Sequence, residues 1–252
     1  MPILHHVAYG EDNKKTLVFI GSLGSTTDMW LPQLDTLHRD FHVIAVDHRG
    51  HGSSPLVKDT PTVADLATDV LETLDSLGVE DFGVIGLSLG GAVAQYLAAT
   101  SPRVTAAAFL CTAAKFGEPQ GWYDRAAATR ENGTASLAAA VIERWFSPTW
   151  LEANPASREH YEHMVVDTPA EGYAQACEAL ATWDFTDRLA EITVPVLTIA
   201  GADDPSTPPE ILQIIADGVS GPATAEVLSP GAHVPTIERP EEVSALLAQH
   251  FK

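Results

Sequence analysis

The segment Gly86-Leu87-Ser88-Leu89-Gly90-Gly91 sets one serine between small residues. An apolar run, Asp81-Phe82-Gly83-Val84-Ile85, precedes it, and an alanine-rich segment with helical spacing follows through Thr100. A serine at such a strand-to-helix turn is held in a strained conformation that turns its hydroxyl outward, over the free N–H groups of the helix start. The spacing therefore predicts nucleophilic chemistry at Ser88. A hydroxyl is a weak nucleophile and needs a base, itself oriented by a carboxylate. Two later loops carry such groups: Gly201-Ala202-Asp203-Asp204-Pro205, and Ser229-Pro230-Gly231-Ala232-His233-Val234-Pro235. His233 is the candidate base, and the residues alone leave Asp203 and Asp204 both open as the acid. The remaining histidines supply no comparable set. His48 and His51 share one turn and His160 and His163 lie three apart, too few ligands in either place for a metal site.

These loops need elements to bring them together. Thr16–Ile20, Phe41–Val46, Asp81–Gly86, Val104–Cys111, Val194–Ala200 and Ala223–Leu228 read as strands, most of them rich in β-branched and aromatic residues. Between Thr62 and Gly78 the apolar residues Val63, Leu66, Ala67, Val70, Leu71, Leu74 and Leu77 fall at helical spacing, with Asp65, Asp69, Glu72 and Asp75 expected on the opposite, solvated side. A last helix is expected from Pro240 to Phe251. Alternating strands and helices predict an α/β protein with a mostly parallel central sheet and helices on both faces. From Gly117 to Asp184 the strand rhythm stops and the composition turns helical. The expected organisation is a core of residues 1–116 and 185–252 interrupted by a helical cap, 117–184.

With 252 residues, 45% of them hydrophobic and 19% charged, the chain can bury a sizeable core, so disorder is a poor reading. No apolar stretch approaches the length of a membrane span, and no basic segment followed by an apolar run opens the chain as a signal peptide would. Cys111 and Cys177 match no metal spacing and read as two buried thiols in a reducing cytoplasm. The formal charge of −20 argues against nucleic acid or an anionic membrane as partner. It also means that an anionic substrate must be received by a local cation against the overall field.

The serine turn, the acid loop and the histidine loop together resemble the α/β-hydrolase superfamily, whose triad runs serine, acid, histidine along the chain. Four further segments resemble the 3-oxoadipate enol-lactonases in particular: Ser22-Leu23-Gly24-Ser25 with Asp28-Met29-Trp30, Glu143-Arg144-Trp145-Phe146-Ser147-Pro148, Gly172-Tyr173-Ala174-Gln175-Ala176-Cys177-Glu178-Ala179-Leu180, and Asp204-Pro205-Ser206-Thr207-Pro208-Pro209. The resemblance implies the α/β-hydrolase fold with a helical cap insertion, a catalytic triad of Ser88, Asp204 and His233, and an oxyanion hole of the backbone N–H groups of Leu23 and Leu89. Where many relatives read His-Gly-x, this chain reads Gly21-Ser22-Leu23, a departure that leaves a backbone donor intact. It implies a cytoplasmic enzyme of aromatic catabolism (the β-ketoadipate pathway) that hydrolyses an anionic lactone without cofactor or metal. Of the cap arginines Arg125, Arg130, Arg144 and Arg158, Arg144 stands beside Trp145 and Phe146, so Arg144 and Trp145 are the expected substrate-binding residues. Other small-molecule carboxylesterases, carbon–carbon bond hydrolases and cofactor-free perhydrolases share the same motifs, and a ligand receptor could be built on the same fold.

Overall fold

The computed structural model describes residues 2–252. Seven strands form one sheet: β1 (His6–Tyr9), β2 (Thr16–Ile20), β3 (His42–Val46), β4 (Phe82–Leu87), β5 (Val104–Leu110), β6 (Val196–Gly201) and β7 (Ala223–Leu228). Their order is β1-β3-β2-β4-β5-β6-β7, with β1 antiparallel and every other pairing parallel. The six expected strands are all present, with ends shifted by a residue or two. β1 was not anticipated. It is a short edge strand, half-buried from His6 to Ala8 and exposed at Tyr9, and so lacks the apolar run that marks the inner strands. The helices Leu31–Leu37 and Pro209–Gly218 are likewise additions to the expected set.

The central strand shows how the layers sit. β4 is buried at every position, as a strand covered on both sides must be. Successive residues of a strand face opposite ways. A Cβ placed on Gly83 would meet the Phe251 ring at 2.6 Å, whereas one placed on Gly86 would meet the Gly90 carbonyl oxygen at 2.0 Å. The helices Pro240–Phe251 and Leu89–Thr100 therefore cover opposite faces of the sheet, and the second lies so close that only glycine fits at position 86.

The helix Val63–Ser76 is closed at its start by Thr62 and Asp65, which cap each other's backbone. Asp69 departs from the expected polar face. It is buried, because Arg49 from the loop after β3 reaches it with two guanidinium bonds, through Nε to Oδ2 and, at 2.6 Å, through Nη2 to Oδ1. A carboxylate so paired can be enclosed where a lone one cannot.

Between β5 and β6 the chain runs through the helices Pro119–Asn132, Ala138–Trp145, Pro148–Ala153, Pro155–Val166 and Ala170–Ala181. This insertion leaves and returns through one neck. Lys115 forms an antiparallel bridge and a 3.0 Å ion pair with Asp184, and the Phe185 N–H donates to the Ala114 carbonyl at 2.8 Å. No helix of the described residues is long and apolar enough to cross a membrane. Cys111 and Cys177 are both buried and free.

Candidate active site

Ser88 follows β4 and begins the helix Leu89–Thr100 with φ 57° and ψ −114°. A positive φ is strained for a residue with a side chain. It is held by three bonds: the Ser88 N–H to the Leu110 carbonyl at 3.0 Å, and the Thr112 hydroxyl (2.7 Å) and Ala92 N–H (3.1 Å) to the Ser88 carbonyl. Its hydroxyl makes no internal hydrogen bond among the described residues. Ser88 and His233 border the same cavity, of about 870 Å³, with Ser22, Leu23, Arg125, Arg144, Trp145 and Tyr173 among its other walls. In free active sites the bond from nucleophile to base is often long and tightens only around the substrate.

The loop after β6 sets the two aspartates in different surroundings. The Asp204 Oδ1 accepts the N–H groups of Ser206 (2.8 Å) and Thr207 (3.1 Å), and its Oδ2 accepts the Thr207 hydroxyl at 2.7 Å and His233 Nδ1 at 2.7 Å. Asp203 is exposed and turned to the Gly231 N–H at 3.4 Å. Since a carboxylate only accepts, Nδ1 of His233 carries the proton and Nε2 is left as the base. Burial alone would raise the Asp204 carboxyl. The charge of His233 and the bonds from His233, Thr207 and Ser206 outweigh that and hold it below the ordinary carboxylate range. The acid therefore stays ionised at neutral pH.

The two backbone N–H groups expected to receive an oxyanion, those of Leu23 and Leu89, are both free of internal acceptors among the described residues. The Leu89 N–H belongs to the first turn of its helix, where no intrahelical acceptor exists. The Leu23 N–H has no internal partner among the described residues, in a loop pinned by the Ser25 N–H and hydroxyl on the Ser22 carbonyl, at 3.2 and 2.8 Å. Behind that loop the buried His48 donates from Nε2 to the Gly21 carbonyl at 2.8 Å. The His48/His51 turn, read from the sequence only as an insufficient metal pair, is thus a support for the donor loop.

That support has a consequence for stability. His51 is fully enclosed, donates from Nδ1 to the Arg49 carbonyl at 3.2 Å, and has a buried Nε2 with no partner. Burial, with some help from His48, lowers its pKa from 6.5 to about 3. Between those values the unfolded chain binds a proton that the folded chain refuses. This destabilising effect is absent above pH 6.5 and grows as pH falls towards the folded value, by about 1.4 kcal/mol per unit for one proton. Denaturant unfolding at pH 7, 5 and 4 is expected to show this acid sensitivity, and His51→Asn to reduce its slope by about one proton.

Cys111, Asp204 and His233 place ligand atoms within 4.8 Å of one another. Their chemistry does not suit a metal. The thiol is held protonated by burial and by the Asp204 charge, and the Nδ1 proton of His233 is committed to Asp204.

The histidine loop is fastened to the insertion on both sides of His233. The Val234 N–H donates to the Trp145 carbonyl at 2.9 Å. Glu238 accepts the Ala232 N–H (2.5 Å) on one oxygen and the Ser147 N–H (2.7 Å) on the other. Trp145 is buried and lines the cavity, and Arg144 also lines it, from an exposed position rather than the apolar setting its neighbours suggest. Of the other cap arginines, Arg130 is engaged by Glu171 and Glu178, and Arg158 faces Glu143 at 3.9 Å. Among the described residues no carboxylate pairs with Arg125 or Arg144. Sequence reasoning missed Arg125, Thr207 and Glu238, whose partners lie in other segments of the chain or, for Thr207, only in the folded turn.

The fold and this arrangement are those of a hydrolase, and the chain belongs to the alpha/beta hydrolase fold family, whose pattern it matches over residues 15–240. It is 36% identical over 239 residues to 3-oxoadipate enol-lactonase 2 of Acinetobacter baylyi, covering 94% of this chain and 89% of that one. With 3-oxoadipate enol-lactonase 1 of the same organism it shares 39% identity over 199 residues, 79% of this chain and 74% of that one. The crystal structure of the enol-lactonase from Burkholderia xenovorans LB400 superposes with a TM-score of 0.95 at 34% identity, covering 98% and 95% of the two chains.

Proposed function

We propose that this protein hydrolyses 3-oxoadipate enol-lactone to 3-oxoadipate, with Ser88 as nucleophile, His233 as general base and acid, and Asp204 as its orienting carboxylate. The observation that carries the reading is the Asp204–His233 pair, which leaves Nε2 basic on the wall it shares with Ser88. Ser88 Oγ attacks the lactone carbonyl carbon as its proton passes to His233 Nε2. The N–H groups of Leu23 and Leu89 receive the negative charge that forms on the carbonyl oxygen. The ring C–O bond then breaks, and His233 returns the proton to the departing enolate, at oxygen or carbon. Water, deprotonated by the same nitrogen, cleaves the acyl-enzyme and restores Ser88. An enol is a better leaving group than an alcohol, so the triad suffices.

Residues 117–184 act in this proposal as the cap that sets substrate choice, with Arg144 and Trp145 against the substrate. The likeness to the enol-lactonases supports the choice of lactone, and the two cap arginines that have no carboxylate partner among the described residues support an anion. Turnover of the enol-lactone, followed by ultraviolet absorbance beside 4-nitrophenyl esters of several chain lengths, tests the reading. Strong preference for the lactone is expected, and preference for simple neutral esters would overturn it. Arg144→Ala is expected to raise KM for the lactone about tenfold more than for a neutral ester. Equal changes on both would remove Arg144 from the site.

A further inference from the structure

Arg125 stands on the cavity wall in a setting unlike that of any other cap cation. Its Nη2 donates to the Tyr173 hydroxyl, and its guanidinium carbon lies 5.3 Å from the centre of the Tyr173 ring and 5.6 Å from that of Trp122. Arg125, Trp122 and Tyr173 all border the cavity that holds Ser88. Arg125 is half-buried, and no carboxylate among the described residues neutralises it. In a chain of charge −20, with acids far outnumbering bases, a partly enclosed guanidinium without an acid partner is a receptor waiting for an anion.

Its scaffold also places it relative to the reaction. The Tyr173 ring packs on the donor loop so closely that a Cβ on Gly24 would lie 2.9 Å from its Cε2. Tyr173 is fully buried, and burial keeps its phenol protonated in spite of Arg125 and Arg144. Because the oxygen already accepts from Arg125, its own O–H remains to be given away.

We propose that Arg125, held by Tyr173 and Trp122, is the fixed receptor for a carboxylate on the acyl side of the substrate, and that the pocket selects esters and lactones bearing that charge a few atoms from the reacting carbonyl. The exposed Arg144 supplies a second, less enclosed cation. The inference rests on the reading of the site as an ester hydrolase acting on an anion, and deepens it by naming the group that recognises the charge. Arg125, being fixed and partly desolvated, is worth more to such a substrate than Arg144.

The test uses two activated esters with the same six-carbon acyl chain, 4-nitrophenyl hydrogen adipate and 4-nitrophenyl hexanoate, which differ in the terminal carboxylate. For Arg125→Gln the ratio of kcat/KM on the anionic ester to that on the neutral ester is expected to fall about 10- to 100-fold, mainly through KM, with a smaller fall for Arg144→Gln. Arg125→Lys, which keeps the charge and loses the fork, is expected to recover part of the ratio. Should Arg125→Gln not fold, Tyr173→Phe releases the guanidinium from its anchor and is expected to lower the same ratio. An unchanged ratio in these variants overturns the proposal. Because the ratio needs no lactone, absence of enol-lactone turnover with the ratio intact in wild type and lost in the variants would refute the proposed substrate and leave the receptor standing.

Discussion

Replacing Ser88 by alanine is expected to lower kcat on any ester this protein cleaves by about 10⁶-fold, to the level the remaining donors and binding groups support. The side chain ends in a hydroxyl that makes no hydrogen bond among the described residues, so its loss leaves no buried group unsatisfied. The turn itself is held through backbone groups, by the bonds to Leu110, Thr112 and Ala92. An alanine at φ 57° is strained as the serine is, so the fold should survive the change and activity alone should collapse. A fluorophosphonate probe provides the second readout. Wild type should become covalently labelled and Ser88→Ala should not. Labelling that persists in the variant would move the nucleophile elsewhere, and a wild type that never labels would favour a ligand receptor on this fold.

Asp204→Asn is expected to cost about 10⁴-fold in kcat while leaving the site's shape almost unchanged. The reason lies in the turn after β6. Its Oδ1 is committed to the N–H groups of Ser206 and Thr207, so the asparagine must keep its carbonyl oxygen there and turn its amide nitrogen to His233. That nitrogen donates to Nδ1, which drives the imidazole proton onto Nε2, where a lone pair is needed. The variant loses both the base and the charge that steadies the imidazolium. Thermal unfolding of the variant measures the structural part separately. A rate close to wild type would show that the orienting acid is another group. The exposed Asp203, bonded to Gly231, is not oriented for it.

The difference between the two neighbouring aspartates shows where local reading stops. Both follow the same strand and both fit a catalytic loop by composition. Only the folded turn shows that one carboxylate is gathered by its own backbone and aimed at the histidine. The cap arginines repeat the lesson at longer range. The apolar neighbours Trp145 and Phe146 point to Arg144, which does border the cavity but from an exposed position, whereas Arg125 borders it half-buried. Its distinguishing contacts come from Trp122, on its own helix, and from Tyr173, on the helix Ala170–Ala181. At Asp69 the expectation itself fails. Its place in the helical pattern suggested solvent, and an arginine from the loop after β3 enclosed it.

From the order of residue types alone follow the alternation of strands and helices, the serine turn, the histidine loop and the helical insertion. Each is written in a few consecutive residues, as a period of two, a period near 3.6, or a glycine where backbones must touch. Which charges remain unpaired at the cavity, how Glu238 ties the histidine loop to the insertion, and why His51 refuses a proton were settled only when distant segments met. Burial and charge pairing depend on what lies opposite in space, and that neighbour is absent from any local stretch of chain.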